Sequence, residues 1–220
     1  TLAGRVLLDG PAAALRDGAN LDVAPGITTV ASGGELGVLG GRTLTTSSNL
    51  TLGATGQLTV GVGSDLTVNG TITNFSSGTF TGGQLDVEGT LRFNGAAIDT
   101  IDADIALTNA TADIVDENDN SAFAALNTIT PSGSFEISGG RSLTLAGALG
   151  SAGALTVGSG STLSSPGFVT QFNGSTNLNG TLSTPTLFVA DGLLSGAGTL
   201  AGNLDCDGDF NPGNSPGLFT

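Results

Sequence analysis

Asn49-Leu50-Thr51-Leu52-Gly53 is followed closely by Gly56-Gln57-Leu58-Thr59-Val60-Gly61 and by Ser64-Asp65-Leu66-Thr67-Val68-Asn69-Gly70. Each phrase is a Gly or Asn turn leading into apolar-polar alternation, the period-two pattern of a strand with one buried face. Leu50, Leu58 and Leu66 are eight residues apart each time. The phrase returns at Gly83-Gln84-Leu85-Asp86-Val87-Glu88-Gly89, at Arg141-Ser142-Leu143-Thr144-Leu145-Ala146-Gly147 and at Gly153-Ala154-Leu155-Thr156-Val157-Gly158. A strand this short cannot bury its apolar face alone, so the units must stack on one another, as in a solenoid. A β-sandwich would also show short strands and turns. The solenoid is preferred because the phrases match in residue type as well as in period. Three strands per coil at about seven residues each predict roughly ten coils, and at the inter-strand spacing a rod roughly 50 Å long.

Composition narrows the function classes. The formal charge is −14 and all five basic residues are Arg. Such a chain has no electrostatic means of gripping nucleic acid or an anionic membrane. His, Lys, Tyr and Trp are absent. That removes the commonest general base, the usual imidazole ligand, the Schiff-base amine and the best sugar-stacking rings. The expectation is therefore not an enzyme. Single Cys206 excludes an internal disulfide, so stability must come from stacking. No apolar run approaches membrane-spanning length, so no membrane insertion of this segment is expected. The chain has no Met and opens on Thr1, which reads as a mature segment or an excised fragment, and its Cys-poor, Lys-poor composition, rich in Gly, Ser, Thr and Asn, leads to the expectation of an extracellular bacterial protein.

Along the chain a single solenoid domain, 1–220, is expected. Residues 1–25 are the least repetitive. They read as an N-terminal cap with a helical turn at Pro11, or as strands at Val6-Leu7-Leu8 and Leu21-Asp22-Val23, the latter preferred. Asn69-Gly70, Asn94-Gly95, Asn173-Gly174 and Asn179-Gly180 are turn dipeptides. Phe75, Phe80 and Phe93 are assigned to the interior stack. Residues 96–127 change character and form an acidic insertion or seam, with short strands, an exposed turn at Asp116 to Asn120 and a one-turn helix over Ser121 to Leu126.

The second half carries a resemblance. Ile129-Thr130-Pro131-Ser132-Gly133-Ser134-Phe135-Glu136-Ile137-Ser138-Gly139-Gly140, with Ser142 to Gly147 after it, resembles the autotransporter-associated β-strand repeat of bacterial surface proteins. Leu193-Leu194-Ser195-Gly196-Ala197-Gly198-Thr199-Leu200-Ala201-Gly202-Asn203-Leu204 is similar to a further unit, and Asn211-Pro212-Gly213-Asn214-Ser215-Pro216-Gly217 resembles the coil that follows it. The resemblance implies a right-handed parallel β-helix, exported to or released from the cell surface as a stalk, adhesin or fibre. No membrane β-barrel translocator lies within these residues.

Several constellations are weighed for chemistry. Asp116, Asn118 and Asp119 are candidate Ca²⁺ ligands, since that ion takes six to eight oxygens; the alternative is a solvated acidic loop. Asp205, Asp207, Asp209 and Asn211 alternate, so on one strand they would share a face. That face reads as a cation ladder or as ordinary outward positions. The glycine at 208 falls too early for an EF-hand. Asp102 with Asp104, or Asp207 with Asp209, is a paired-carboxylate candidate, but basic and aromatic residues to hold a sugar are scarce. Pairs such as Thr71/Thr73 and Thr79/Thr81 are scattered, and outward Thr is a good strand residue. The expected function is structural. Exposed terminal strands continue the ladder into a neighbouring copy, making a homopolymer. Leu2, Val6 and Leu8 at one end and Leu200, Leu204, Phe210 and Leu218 at the other are the candidate assembly residues. The rival is a monomeric adhesin binding a glycan or receptor through residues 99–127.

Overall fold

In a computed structural model, residues 1–213 are described. The protein is all-β, with about half of its residues in strands, and forms parallel β-solenoid coils, about eight turns in all. Among the described residues the only helical turn is a 3-10 turn at Ala24–Gly26. Among the described residues no helix is long and apolar enough to cross a membrane. The chain divides into two compact units. One comprises Thr1–Ala97 with Thr111–Ala122, and the other Ile98–Ala110 with residues 123 onward. All three exchanges of chain between units fall inside 96–127, where the sequence changes character.

In the first unit the turns build three columns of parallel strands. Column a holds Arg5–Asp9, Glu35–Leu39, Gln57–Val60 and residues 84–87. Column b holds Thr43–Thr46, Asp65–Val68, Thr90–Phe93 and Asp113–Val115. Column c holds Leu2, Thr29–Val30, Thr51–Leu52 and Ile72. The alternation in each strand sends one set of side chains inward, and parallel register stacks like on like. Val6, Leu36, Leu58 and Leu85 form one ladder and Leu44, Leu66, Leu91 and Ile114 another. Leu36, Leu58, Leu66 and Leu91 are fully buried. Each such side chain contributes roughly 1.5–3 kcal/mol of burial. Phe80 and Phe93 lie in this core, with the half-buried Phe75 edge-on to Phe93 at 5.5 Å between centroids.

The second unit repeats the plan. Column a runs through residues 104–107, Ser134–Ile137, Ala154–Val157, Ser175–Leu178, Leu193–Ser195 and Asp209–Asn211. Column b holds Ser142–Thr144, Thr162–Ser164 and residues 181–183 and 199–201. Column c holds residues 100–101, Thr128–Ile129, Leu149–Ser151, Val169–Gln171, and then 187–189 and 204–206.

One residue type marks the corner between columns c and a. The residue before the column-a strand is Gly4, Gly34, Gly56 or Gly83 in the first unit. In the second it is Gly133, Gly153, Gly174, Gly192 or Gly208, with Ala103 the exception. The N–H that follows each corner donates to the glycine carbonyl one turn earlier: Glu35 to Gly4, Gln57 to Gly34, Ala154 to Gly133, Ser175 to Gly153 and Asp209 to Gly192. A Cβ at Gly34 would lie 2.6 Å from Leu2 O, and one at Gly56 would lie 2.6 Å from Val30 O. The corner is glycine because successive backbones approach too closely for a side chain.

Turn length varies. Column a steps by 30, 22 and 27 residues from Arg5 to Glu35, Gln57 and Gln84. From Asp104 to Ser134, Ala154, Ser175, Leu193 and Asp209 the steps are 30, 20, 21, 18 and 16. Two local expectations are corrected. Leu21-Asp22-Val23 is not a strand beyond one bridge between Arg16 and Asp22. The Asp22 carboxylate accepts the Leu15 and Ala24 N–H groups, at 3.2 and 3.0 Å, so the local backbone closes on a side chain instead of a ladder. Ser121 to Leu126 is a turn, not a helix. Leu126 N–H donates to Phe123 O at 3.0 Å, closing a single turn, and the next donor, Asn127 N–H, goes to Asp99 O at 2.9 Å, so no helix propagates.

Candidate functional site

The first turn presents Leu2 in column c and Arg5–Asp9 in column a. Leu2 is tied to the next turn by donating to Thr29 O at 2.7 Å and accepting from Ala31 N at 2.8 Å. Leu8 is buried, Val6 and Leu2 are half-buried, and Leu7 is exposed. Arg5 reaches Glu35 on the outer face of column a, Nε to Oε2 at 2.6 Å.

The last described turn presents residues 199–206 and Asp209–Asn211. Leu200 is buried, Leu204 and Cys206 are half-buried and Phe210 is 42% exposed. Leu218, the remaining candidate, lies outside the described residues. Asp205 and Asp209 do not share one strand. The strand ends at Cys206, Asp207-Gly208 makes the corner, and Asp209 opens column a. The alternating carboxylates are thus distributed around a corner, all of them exposed. This corrects the single-face reading, because the glycine in the run is a corner glycine.

The two edges share a local grammar. Leu2-Ala3-Gly4-Arg5 and Cys206-Asp207-Gly208-Asp209 both read as a half-buried column-c residue, an exposed residue, a corner glycine and an exposed charged residue. Elsewhere the step from column c to column a is often longer: five residues from Val30 to Glu35 and four from Gln171 to Ser175.

The acidic loop is held by its own bonds. Asp116 Oδ1 accepts the Asn118 and Asn120 N–H groups at 2.8 and 2.9 Å, and the Asn120 side-chain amide donates to Oδ2 at 2.9 Å. These bonds, that from the Asn120 side chain foremost, hold the Asp116 carboxyl below the usual carboxylate range. Asp119, in the left-handed region at φ 66°, pairs with Arg92 at 2.5 Å. Glu117 accepts the Gly95 N–H at 2.7 Å. The Asp119 and Glu117 carboxylates are therefore engaged with the turn that carries Arg92 and Gly95, and that of Asp116 with its own loop. Asp102 accepts the Thr130 hydroxyl at 2.5 Å on an outer face. Among the described residues no group of three or more His, Cys, Asp or Glu is placed to hold a metal.

One surface escaped the sequence reading. Phe168 and Phe172 flank Val169-Thr170-Gln171 and stand 52% and 60% exposed, while Val169 and Gln171 point inward. Phe168 meets Phe188 edge-on, 5.3 Å between centroids. The signal was present in the alternation itself, which puts 168, 170 and 172 on the outer face.

Compared with protein-family models, with curated proteins and with solved structures, the chain matches none.

Proposed function

We propose that this chain is a structural subunit of a bacterial extracellular fibre, a right-handed parallel β-helix whose copies join end to end by coil stacking. The observation that carries the reading is the matched corner at the two edges. If Gly208 of one copy takes the place that Gly34 has beneath Gln57, the Arg5 N–H of the next copy donates to Gly208 O. Cys206 then falls in register with Leu2, and Asp209 with Arg5. On the outer face Arg5 would sit between Asp209 of one copy and its own Glu35, an alternation of charge along the ladder. A head-to-tail contact of this kind does not close on itself and grows a filament. The resemblance to autotransporter-associated repeats supports the cell-surface setting.

The test is a cysteine in register. Adjacent parallel strands set paired Cα atoms about 4.8 Å apart, within the span a disulfide bridges. Leu2→Cys should therefore give, on mild oxidation, a ladder of covalent multimers through Cys206 of the neighbouring copy. Ala3→Cys, exposed and out of register, should not. Electron microscopy of the same samples separates the outcomes. Filaments without the ladder would refute this register but keep end-to-end assembly. Isolated particles at every concentration would refute assembly.

A second reading, a monomeric adhesin for a glycan or receptor, is favoured by the exposed Phe168 and Phe172. Under it, Phe172→Ser abolishes adhesion and leaves particle length unchanged.

A further inference from the structure

In the second unit the interior at the corner between columns c and a is apolar at most turns. Ile129 and Phe135 occupy it in one turn, and Val189 and Leu194 in another, all fully or nearly fully buried. Between these turns the chemistry changes. Ser151 and Gln171 are register partners at the inward column-c position, and Thr176 takes the inward column-a position where Leu155 and Leu194 stand in the neighbouring turns. Their relative exposures are 1%, 0% and 0%. Ser151 Oγ, Gln171 Oε1 and Thr176 Oγ1 have no hydrogen-bond partner within the protein.

The orientation of the Gln171 amide is settled by chemistry. Its nitrogen donates to Asp191 O at 3.1 Å and to Gly174 O at 3.4 Å. Turning the amide over would set an oxygen against two carbonyls, so Oε1 faces away from them. Buried acceptors are rarely left in that state, and three such groups at one corner point to a ligand.

We infer that this corner is a binding site for a single internal water molecule, held by Ser151, Gln171 and Thr176. The ligand is neutral because the three side chains that face it are neutral, and an unpaired ion there would be strongly penalised. Each of the three oxygens gains a partner. Water donates to Gln171 Oε1 and to one hydroxyl oxygen, and accepts from the other hydroxyl. That gives it three partners, the usual number for a buried water. The bound water ties two successive turns at a corner that is apolar in the turns on either side.

The test is a crystal structure of the full chain at about 1.5 Å, with a density peak expected within roughly 2.6–3.2 Å of all three oxygens. An empty corner, a Gln171 amide bonded directly to Ser151 or Thr176, or a peak with shorter cation-like distances would each overturn the site. Oxygen-17 relaxation dispersion gives a second readout. Gln171→Val/Thr176→Val, which copies the apolar corner of a neighbouring turn, should lose one long-lived water per chain. An unchanged count would overturn the assignment, and if this variant does not fold the wild-type density decides alone.

Discussion

Replacing Gly56 by Ala tests why the coil corners are glycine. The added Cβ would lie 2.6 Å from Val30 O, 3.0 Å from Gly53 N and 3.1 Å from Ala31 O, all backbone atoms of the coil wall. An ordinary contact of this kind needs about 3.4 Å, so the two turns must part by most of an ångström. Gly56 does not have a positive φ, so the penalty is steric and not one of backbone conformation. The parting strains a tight set of bonds: Gly53 N to Val30 O at 2.7 Å, and Gln57 N to Gly34 O and Gln84 N to Gly56 O, each at 2.9 Å. Overpacking of a close-packed site costs about 1–3 kcal/mol, and weakening one such bond about 1 kcal/mol more. The expected loss is about 3 kcal/mol, or roughly 6–12 °C in Tm for a chain of this size. Gly18, with nothing within 4 Å of its position and no positive φ, is the control. Gly18→Ala should be neutral or slightly stabilising, by less than about 1 kcal/mol. Urea and thermal unfolding followed by circular dichroism measure both. A Gly56→Ala protein within about 0.5 kcal/mol of wild type would refute the close-approach argument.

Two further outcomes follow from the same structure. Leu66, fully buried between Leu44 and Leu91 in its ladder, should lose about 3 kcal/mol on substitution by Ala, read as a lower urea midpoint at unchanged m. Asp116 titrates below the usual carboxylate range, so its contribution to loop order is present above that range and is lost as pH falls through its depressed value. NMR titration of the Asn118 and Asn120 amides should give a midpoint below that of an ordinary aspartate. A midpoint at or above the ordinary value would show that the loop bonds do not persist in solution.

Much of the fold was readable because its physics is local. The phrase from Gly56 to Val60 contains both the alternation that faces Leu58 and Val60 inward and the glycine that lets one corner pass over another. The interior places of Phe80 and Phe93 followed from the same alternation. The coil count was harder to read. A step of 16 residues and one of 30 both return the chain to the same column, and the excess is spent in loops that carry no strand period. The helical reading of Ser121 to Leu126 failed because, after one turn closed by Leu126 N–H on Phe123 O, the next donor, Asn127 N–H, goes to Asp99, a partner outside the segment. The Asp205 to Asn211 reading failed because Gly208 looks like a pause in a strand until the strand above it is seen to turn at the same place.

By itself the sequence determined the class of fold, the inward residues and the acidic, Lys-free surface, since these depend only on residue type and a period of two. Tertiary structure alone decided which turn stacks on which, and so which glycines are corners and which carboxylates are engaged. It also decided that Ser151, Gln171 and Thr176 line one interior corner. Those facts depend on contacts between residues some twenty positions apart, and the loops between them vary in length, so no pattern along the chain could encode them.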